Sequence, residues 1–377
     1  MPKETMTPRE RWLAVLTRRT PDRVPMDYWA TPEATAKLIE HLGLSRKSER
    51  QLVSDMHATS PATGENEAYD LLRQALQQLH VDFVIRVGPR YVGPPPEPGA
   101  DIFGCRYSTV DYGSGAYEEV VYHPLAEFDS VNAIESHYTW PSPDWWDYSG
   151  VPDQIKGWDD YPIQGGGSEP FLTYKSLRGQ EQALMDMVIN PDMVHYVLDK
   201  LFNLAYENTR RIYEQIPGKV MISYVAEDMG GQNDLMFSPK HIRQFLLPRM
   251  KRIIDLVHEG GAFVFHHNDG NCRRIIPDMI DASIDVLNPI QWRSQGMERE
   301  GLKQDFGDKL VFHGAMDNQF TLPFGTVEEV RQEVQDNLRI LGANGGYILA
   351  PCHNIQAVGP AENVVAMYEA GYEFGWR

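Results

Sequence analysis

Residues 262–272 read AFVFHHNDGNC, an apolar run that breaks off in two histidines, an asparagine, an aspartate and a glycine. A buried strand is expected to be apolar, so imidazoles and a carboxylate at its carboxyl end are costly unless satisfied or used. Side chains alternate along a strand, which places His267 and Asp269 on the side of Phe263 and Phe265. Such a pair can grip one metal ion or one substrate group. The plainer reading is two hydrogen-bonded residues closing a turn at Gly270. Polar strand ends on the C-terminal face of a barrel are where such enzymes carry their chemistry.

Outward from this stretch the same pattern repeats. Strands are expected downstream at 285–291 (DVLNPIQ), 310–317 (LVFHGAMD) and 346–354 (GYILAPCHN). Upstream they are expected at 23–29 (RVPMDYW), 81–87 (VDFVIRV), 171–177 (FLTYKSL) and 220–228 (VMISYVAED). Each is followed by a helical pattern, and Thr7-Pro8-Arg9-Glu10 is a capping box that starts one more helix ahead of them all. Eight strand–helix units imply a parallel sheet closed into a (β/α)8 TIM barrel, here an α/β fold in one domain spanning 1–377. An open doubly wound sheet is the competitor, but no GxGxxG or GxxxxGK[ST] follows any strand. Regularity lapses over 93–170, which predicts a long insertion after the second strand. Its aromatic residues, Trp145, Trp146, Tyr148, Trp158 and Tyr161, either wall a pocket or pack over the scaffold.

The balance of 53 acidic against 35 basic residues gives a formal charge of −18, which argues against nucleic acid or an anionic membrane as partner. Three cysteines make no disulfide framework and point to a reducing, cytoplasmic setting. The N-terminal MPKETMTPRERW lacks a signal-peptide core, and no run approaches the ~18 apolar residues of a membrane span.

The expected strands turn polar at one common end, as the rim of an active site would. The rim carries Tyr28, Arg90 and Tyr91, Glu227 and Asp228, Asn288 and Gln291, His313, and Cys352 with His353. Tyr28, Arg90, Tyr91, Asn288, Gln291 and His313 are read as substrate-facing. Arg90 either binds a substrate carboxylate or salt-bridges the rim, and His313 is more readily a supporting group than a proton donor. Barrel closure would let His267, Asp269 and Cys352 meet on one ion. A nitrogen, a carboxylate oxygen and a thiolate suit Zn2+ with an open fourth position; the alternative for Cys352 is a small buried residue. Glu227 and Asp228 are adjacent and must face opposite ways, so only one can serve as acid or base. Asp228, nearer the strand's end and followed by Met229-Gly230-Gly231, is the expected one. His353 is the further candidate for moving a proton.

RERWLAVLTRRTPDRVPMDYW, FHHNDGNCRRIIPDMIDASIDVLNPIQ, VFHGAMDNQFTLPFGTVEEV and GYILAPCHNIQ resemble the uroporphyrinogen decarboxylase superfamily, across nearly the whole chain from Thr7 to Tyr372. The resemblance implies a single (β/α)8 barrel and one of two activities. True uroporphyrinogen decarboxylases work without cofactor and carry an RQAGR-type arginine segment after the first strand. Here that place reads MDYWATPEA, without arginine. The other branch comprises zinc-dependent methyltransferases serving corrinoid proteins or thiols, with a His-x-Cys pair and a distant cysteine on the metal. His267-x-Asp269 resembles that pair with Asp269 in place of the nearer cysteine, and Cys352 matches the distant one. The resemblance therefore implies methyl transfer from a methylated small molecule to a corrinoid protein. A cofactor-free decarboxylase of a small acid, anchored by Arg90, is the alternative, and a non-enzymatic binding barrel the third reading.

Overall fold

In the computed structural model, residues 3–57, 67–111, 113 and 116–377 are described. Seven parallel strands follow one another in chain order: Ile85–Val87, Ile163–Ser168, Ile222–Val225, Phe263–His267, Val286–Asn288, Val311–Met316 and Tyr347–Pro351. The eighth stave is extended chain rather than a continuous strand. Met26 and Ala30 bridge Leu349 and Ile355 in parallel on one side, and Met26 O accepts from Asp82 N (2.7 Å) on the other. The curled sheet is thus TIM-barrel-like, with helices outside.

Alternation along the staves divides the core in two. Ile222, Phe265, Val286, Val311 and Ile348 pack inside the barrel, with Val84 and Tyr224 against them. Their neighbours, such as Val225, Val264, Leu287, Phe312 and Leu349, join the larger shell beneath the helices. The helix Pro8–Leu16 begins at the expected capping box and drives Trp12 into the inner cluster from the amino-terminal end. Its indole nitrogen donates to Asp82 O at 2.8 Å. Beside it Asp82 takes ion pairs from Arg11 and Arg23, all three buried. The C-terminal mouth is left open for chemistry.

One strand lies elsewhere than its sequence suggested. Residues 171–177 belong to the helix Pro170–Arg178, not to a strand. Pro170 sits in its first turn, and the buried Phe171, Tyr174 and Leu177 recur every three residues, a helical rather than a strand period. The stave itself is IQGGGS, Ile163–Ser168. The insertion therefore ends sooner, within 88–162. It contains the hairpin Arg106–Asp111 with Ala116–Tyr122 and a short ribbon pairing Arg90–Tyr91 with Trp146–Asp147. Its tryptophans divide between the two expected roles. Trp145 packs on Tyr91, whereas Trp158, against Phe83, faces a cleft. Among the described residues no helix is long and apolar enough to cross a membrane.

Candidate metal centre

The strand Phe263–His267 ends with His267 buried and turned into the barrel mouth, in line with Phe263 and Phe265. By the same alternation, Ile222 and Tyr224 project inward and Asp228 follows them past the end of the neighbouring strand. Asp228, His267 and Asp269 each present one ligand atom, and these lie within 4.8 Å of one another. His267 Nε2 stands 3.7 Å from an oxygen of Asp228 and 3.7 Å from one of Asp269. That is beyond hydrogen-bonding distance. It is close to the roughly 3.4 Å that separates two ligands held at about 2.1 Å from a tetrahedral zinc.

The surrounding bonds fix which nitrogen faces that space. Asn288 Oδ1 accepts from His267 Nδ1 at 2.6 Å, which in the neutral ring places the lone pair on Nε2. The same amide donates to His313 Nδ1 at 2.7 Å, and His313 Nε2 in turn donates to Asp27 Oδ2 at 3.1 Å. Trp29 donates its indole N–H to that oxygen (2.9 Å) and stacks its ring on His267, 5.9 Å between centroids. The carboxylates are aimed in the same manner. Asp228 Oδ1 accepts from Asp269 N, and Asp269 Oδ1 from Gln291 Nε2, both at 3.0 Å. Gln291 Oε1 also accepts from Gly270 N at 2.6 Å. Bonds of this kind are what would orient candidate ligands around a metal.

His353, partly exposed, reaches the other oxygen of Asp269 at 3.7 Å and stands where a proton could be exchanged with solvent. Burial, opposed by His267 and His353, holds the Asp269 carboxyl above its ordinary range. Sequence reasoning missed Glu169, just past the strand Ile163–Ser168. Burial and then the charge of Asp228 push its carboxyl up to about 7, so it belongs to the same acidic site. Its signal was hidden because the strand it ends was not legible.

Seven expected site residues have partners of their own. Glu227 is fully buried on the opposite side of its strand, and both its oxygens accept from Phe171 N (3.0 and 3.2 Å) at the start of the helix Pro170–Arg178. Burial raises it well above the usual carboxyl range. Cys352 is not in the cluster. Its thiol donates to Ile290 O at 3.1 Å and is pushed far up by burial, then by Glu333 and Asp317. Asp228, expected from the sequence as the acid or base, instead offers the third candidate ligand atom beside His267 and Asp269. Arg90 is an exposed rim residue paired with Asp147 at 3.2 Å. Tyr91 donates its hydroxyl to Pro94 O at 2.7 Å and packs on Trp145 and Trp146. Asn288 bonds both His267 and His313, and Gln291 bonds Asp269, so Asn288 and Gln291 are engaged with candidate ligands.

An open space lies beside the cluster. A cleft of about 1420 Å³ runs from Asp27, Tyr28 and Trp29 to Arg86, Arg90 and Trp158. The acidic cluster is not part of its lining; Trp29, in contact with His267, is the wall they share.

Comparison with known proteins adds a lineage to this geometry. The model of the uroporphyrinogen decarboxylase (URO-D) family matches residues 155–374. A uroporphyrinogen decarboxylase of Psychromonas ingrahamii is 26% identical over 219 residues, covering 56% of this chain and 55% of that protein. One from Carboxydothermus hydrogenoformans is 25% identical over 232 residues, covering 60% and 57%. The chain thus spans little more than half the length of these relatives. A methyltransferase from Methanosarcina mazei shares the fold along 98% of this chain and 99% of its own, with a TM-score of 0.69 at 21% identity.

Proposed function

This chain belongs to the uroporphyrinogen decarboxylase family, and from that premise we propose that it is a zinc-dependent methyltransferase of the family. It takes a methyl group from a methylated small molecule and passes it to a corrinoid protein. The observation that carries the reading is the Asp228–His267–Asp269 cluster, with its ligand atoms pre-aimed at one point of the barrel mouth. The fold shared with a methyltransferase supports it. So does the lack of arginine in residues 26–34, where a porphyrinogen's carboxylates would need it.

Asp228, His267 and Asp269 would hold the ion, which supplies a Lewis acid to the heteroatom that carries the methyl. Asn288 keeps His267 Nε2 unprotonated for that role, and Gln291 orients Asp269. Trp29 and Tyr224 shield the imidazole from water on the barrel side. As the methyl departs, its bonding pair stays on the heteroatom. His353 is placed to deliver the proton that completes the demethylated product.

The test is methyl transfer to cob(I)alamin from methyl ethers and methylamines, with zinc measured by elemental analysis. Chelation should abolish transfer and zinc restore it. Asp228→Asn should lose turnover with its circular dichroism unchanged, and Glu227→Gln should keep most of it. Metal content below roughly a tenth of an equivalent, with no response to added zinc, overturns the reading. The name shared by the curated relatives favours decarboxylation of a small acid as the second reading. Carbon dioxide release by metal-free protein would establish it.

A further inference from the structure

Arg86 lies on the strand Ile85–Val87 and, by alternation with the inward-packed Val84, projects from its inner side at the barrel mouth. Its guanidinium lies over the Trp29 ring, 5.5 Å from the centroid, and its Nε donates to Gln164 Oε1 at 3.4 Å. Four cationic side chains line the large cleft. Arg73 is paired with Asp70, Arg90 with Asp147 and Lys156 with Asp153. Among the described residues, Arg86 alone of the four has no carboxylate partner.

A cation in a chain with 18 more acidic than basic residues would find a partner easily if one were wanted. This one is held instead by a ring and an amide, neither of which neutralises it. Its donors remain available in a fork that matches a carboxylate. Tyr28, Trp29, Phe83 and Trp158 give the cleft aromatic surface, beside the carboxylates of Asp27, Asp70, Asp147 and Asp153. Trp29 stands between the cleft and the cluster, since the ring beneath Arg86 is also the ring stacked on His267. Tyr224 lies 5.6 Å from His267 between ring centroids. The cation is thus close to the cluster without being joined to it.

We infer that Arg86 is the specificity residue of the cleft, binding the carboxylate of an aromatic acid whose ring lies along Trp29 and whose methylated substituent points to the Asp228–His267–Asp269 cluster. The assignment rests on the methyl-transfer reading for the role of the far end, though not for the binding of the anion.

The test is equilibrium binding to the zinc-loaded protein without any methyl acceptor, using 4-methoxybenzoate and its neutral counterpart 4-methoxybenzamide. Wild type should bind the anion roughly tenfold or more tightly than the amide. Arg86→Gln should erase that preference by weakening the benzoate only, and Arg86→Lys should restore part of it. Equal affinity for the two probes in wild type, a preference that survives in Arg86→Gln, or no binding of either probe overturns the inference. Tight, Arg86-dependent binding without methyl transfer overturns the functional reading instead and leaves this one standing. Transfer from neutral donors that Arg86→Gln does not slow has the opposite meaning.

Discussion

At the scale of single residues, the site depends on one amide. Asn288 sits between two imidazoles, accepting from His267 and donating to His313, so its two ends set two tautomers at once. Asn288→Ala removes the acceptor that keeps the proton on His267 Nδ1. The ring is then free to expose an N–H to the cluster, which repels a cation. Zinc affinity should fall about 10–100-fold, the usual cost of losing such a partner, as read by competition with a chromogenic chelator. Unchanged affinity would mean that Asp228 and Asp269 alone determine the site. What could be read from sequence follows the same logic. The side that His267 and Asp269 share was legible because alternation along a strand fixes which way a residue faces, whereas Asp228 was singled out by its place at the strand's end, and as an acid or base rather than a ligand. Cys352 was not, since its thiol's choice between an ion and Ile290 O depends on the direction of one bond after a turn. Glu227 was ambiguous until the helix it caps was known.

At the scale of elements, legibility followed apolar content. The staves AFVFHH and VFHGAM announce themselves, whereas IQGGGS has little apolar surface and three glycines, which strands disfavour. The structure shows why they are there. The strand's register shifts between Gln164 and Gly167, and a Cβ on Gly167, whose φ is +129°, would lie 2.0 Å from Tyr224 O. Long-range contacts required glycine at a place where local propensity argues against a strand. A second inter-element contact makes a pH prediction. His258, in the last turn of the helix Leu247–Glu259, bonds through Nε2 to Asp285 Oδ2 at 2.9 Å, and that oxygen also accepts from Val264 N. The hydrogen bond with Asp285 raises the imidazole above its usual 6.5. The folded protein therefore keeps this proton to higher pH than the unfolded chain. The stabilisation is complete below about pH 6.5 and is lost as pH rises through the folded value. His258→Gln should be less stable than wild type by about 0.5 kcal/mol near pH 6, a figure suited to a half-exposed pair. The difference should vanish near pH 9 in urea titrations. A gap independent of pH would assign the effect to packing instead.

At the scale of the molecule, the barrel has two unlike ends, and the sequence marks both. The C-terminal mouth gathers unpaired or weakly paired polar groups: three candidate ligand atoms, His353 and Arg86. The opposite end spends its charges on one another, with Asp82 between Arg11 and Arg23. Trp12 closes that end as a plug, wholly buried among Ile222, Phe265, Val286, Val311 and Ile348. Because these five residues come from five different staves, removing the indole loosens the whole ring of strands rather than one contact. It also leaves Asp82 O without its donor. Trp12→Ala should cost about 3–5 kcal/mol, as large-to-small changes at buried aromatics do. The inner cluster reaches the site, for Phe265 and Trp29 touch both it and His313. A loosened plug should therefore widen the distribution of His267 positions as well. Trp12→Phe restores most of the volume but not the N–H, so it should recover most of the stability while remaining short of wild type. If Trp12→Ala instead unfolds within about 1 kcal/mol of wild type, the barrel is held by its outer helices and the inner core contributes little.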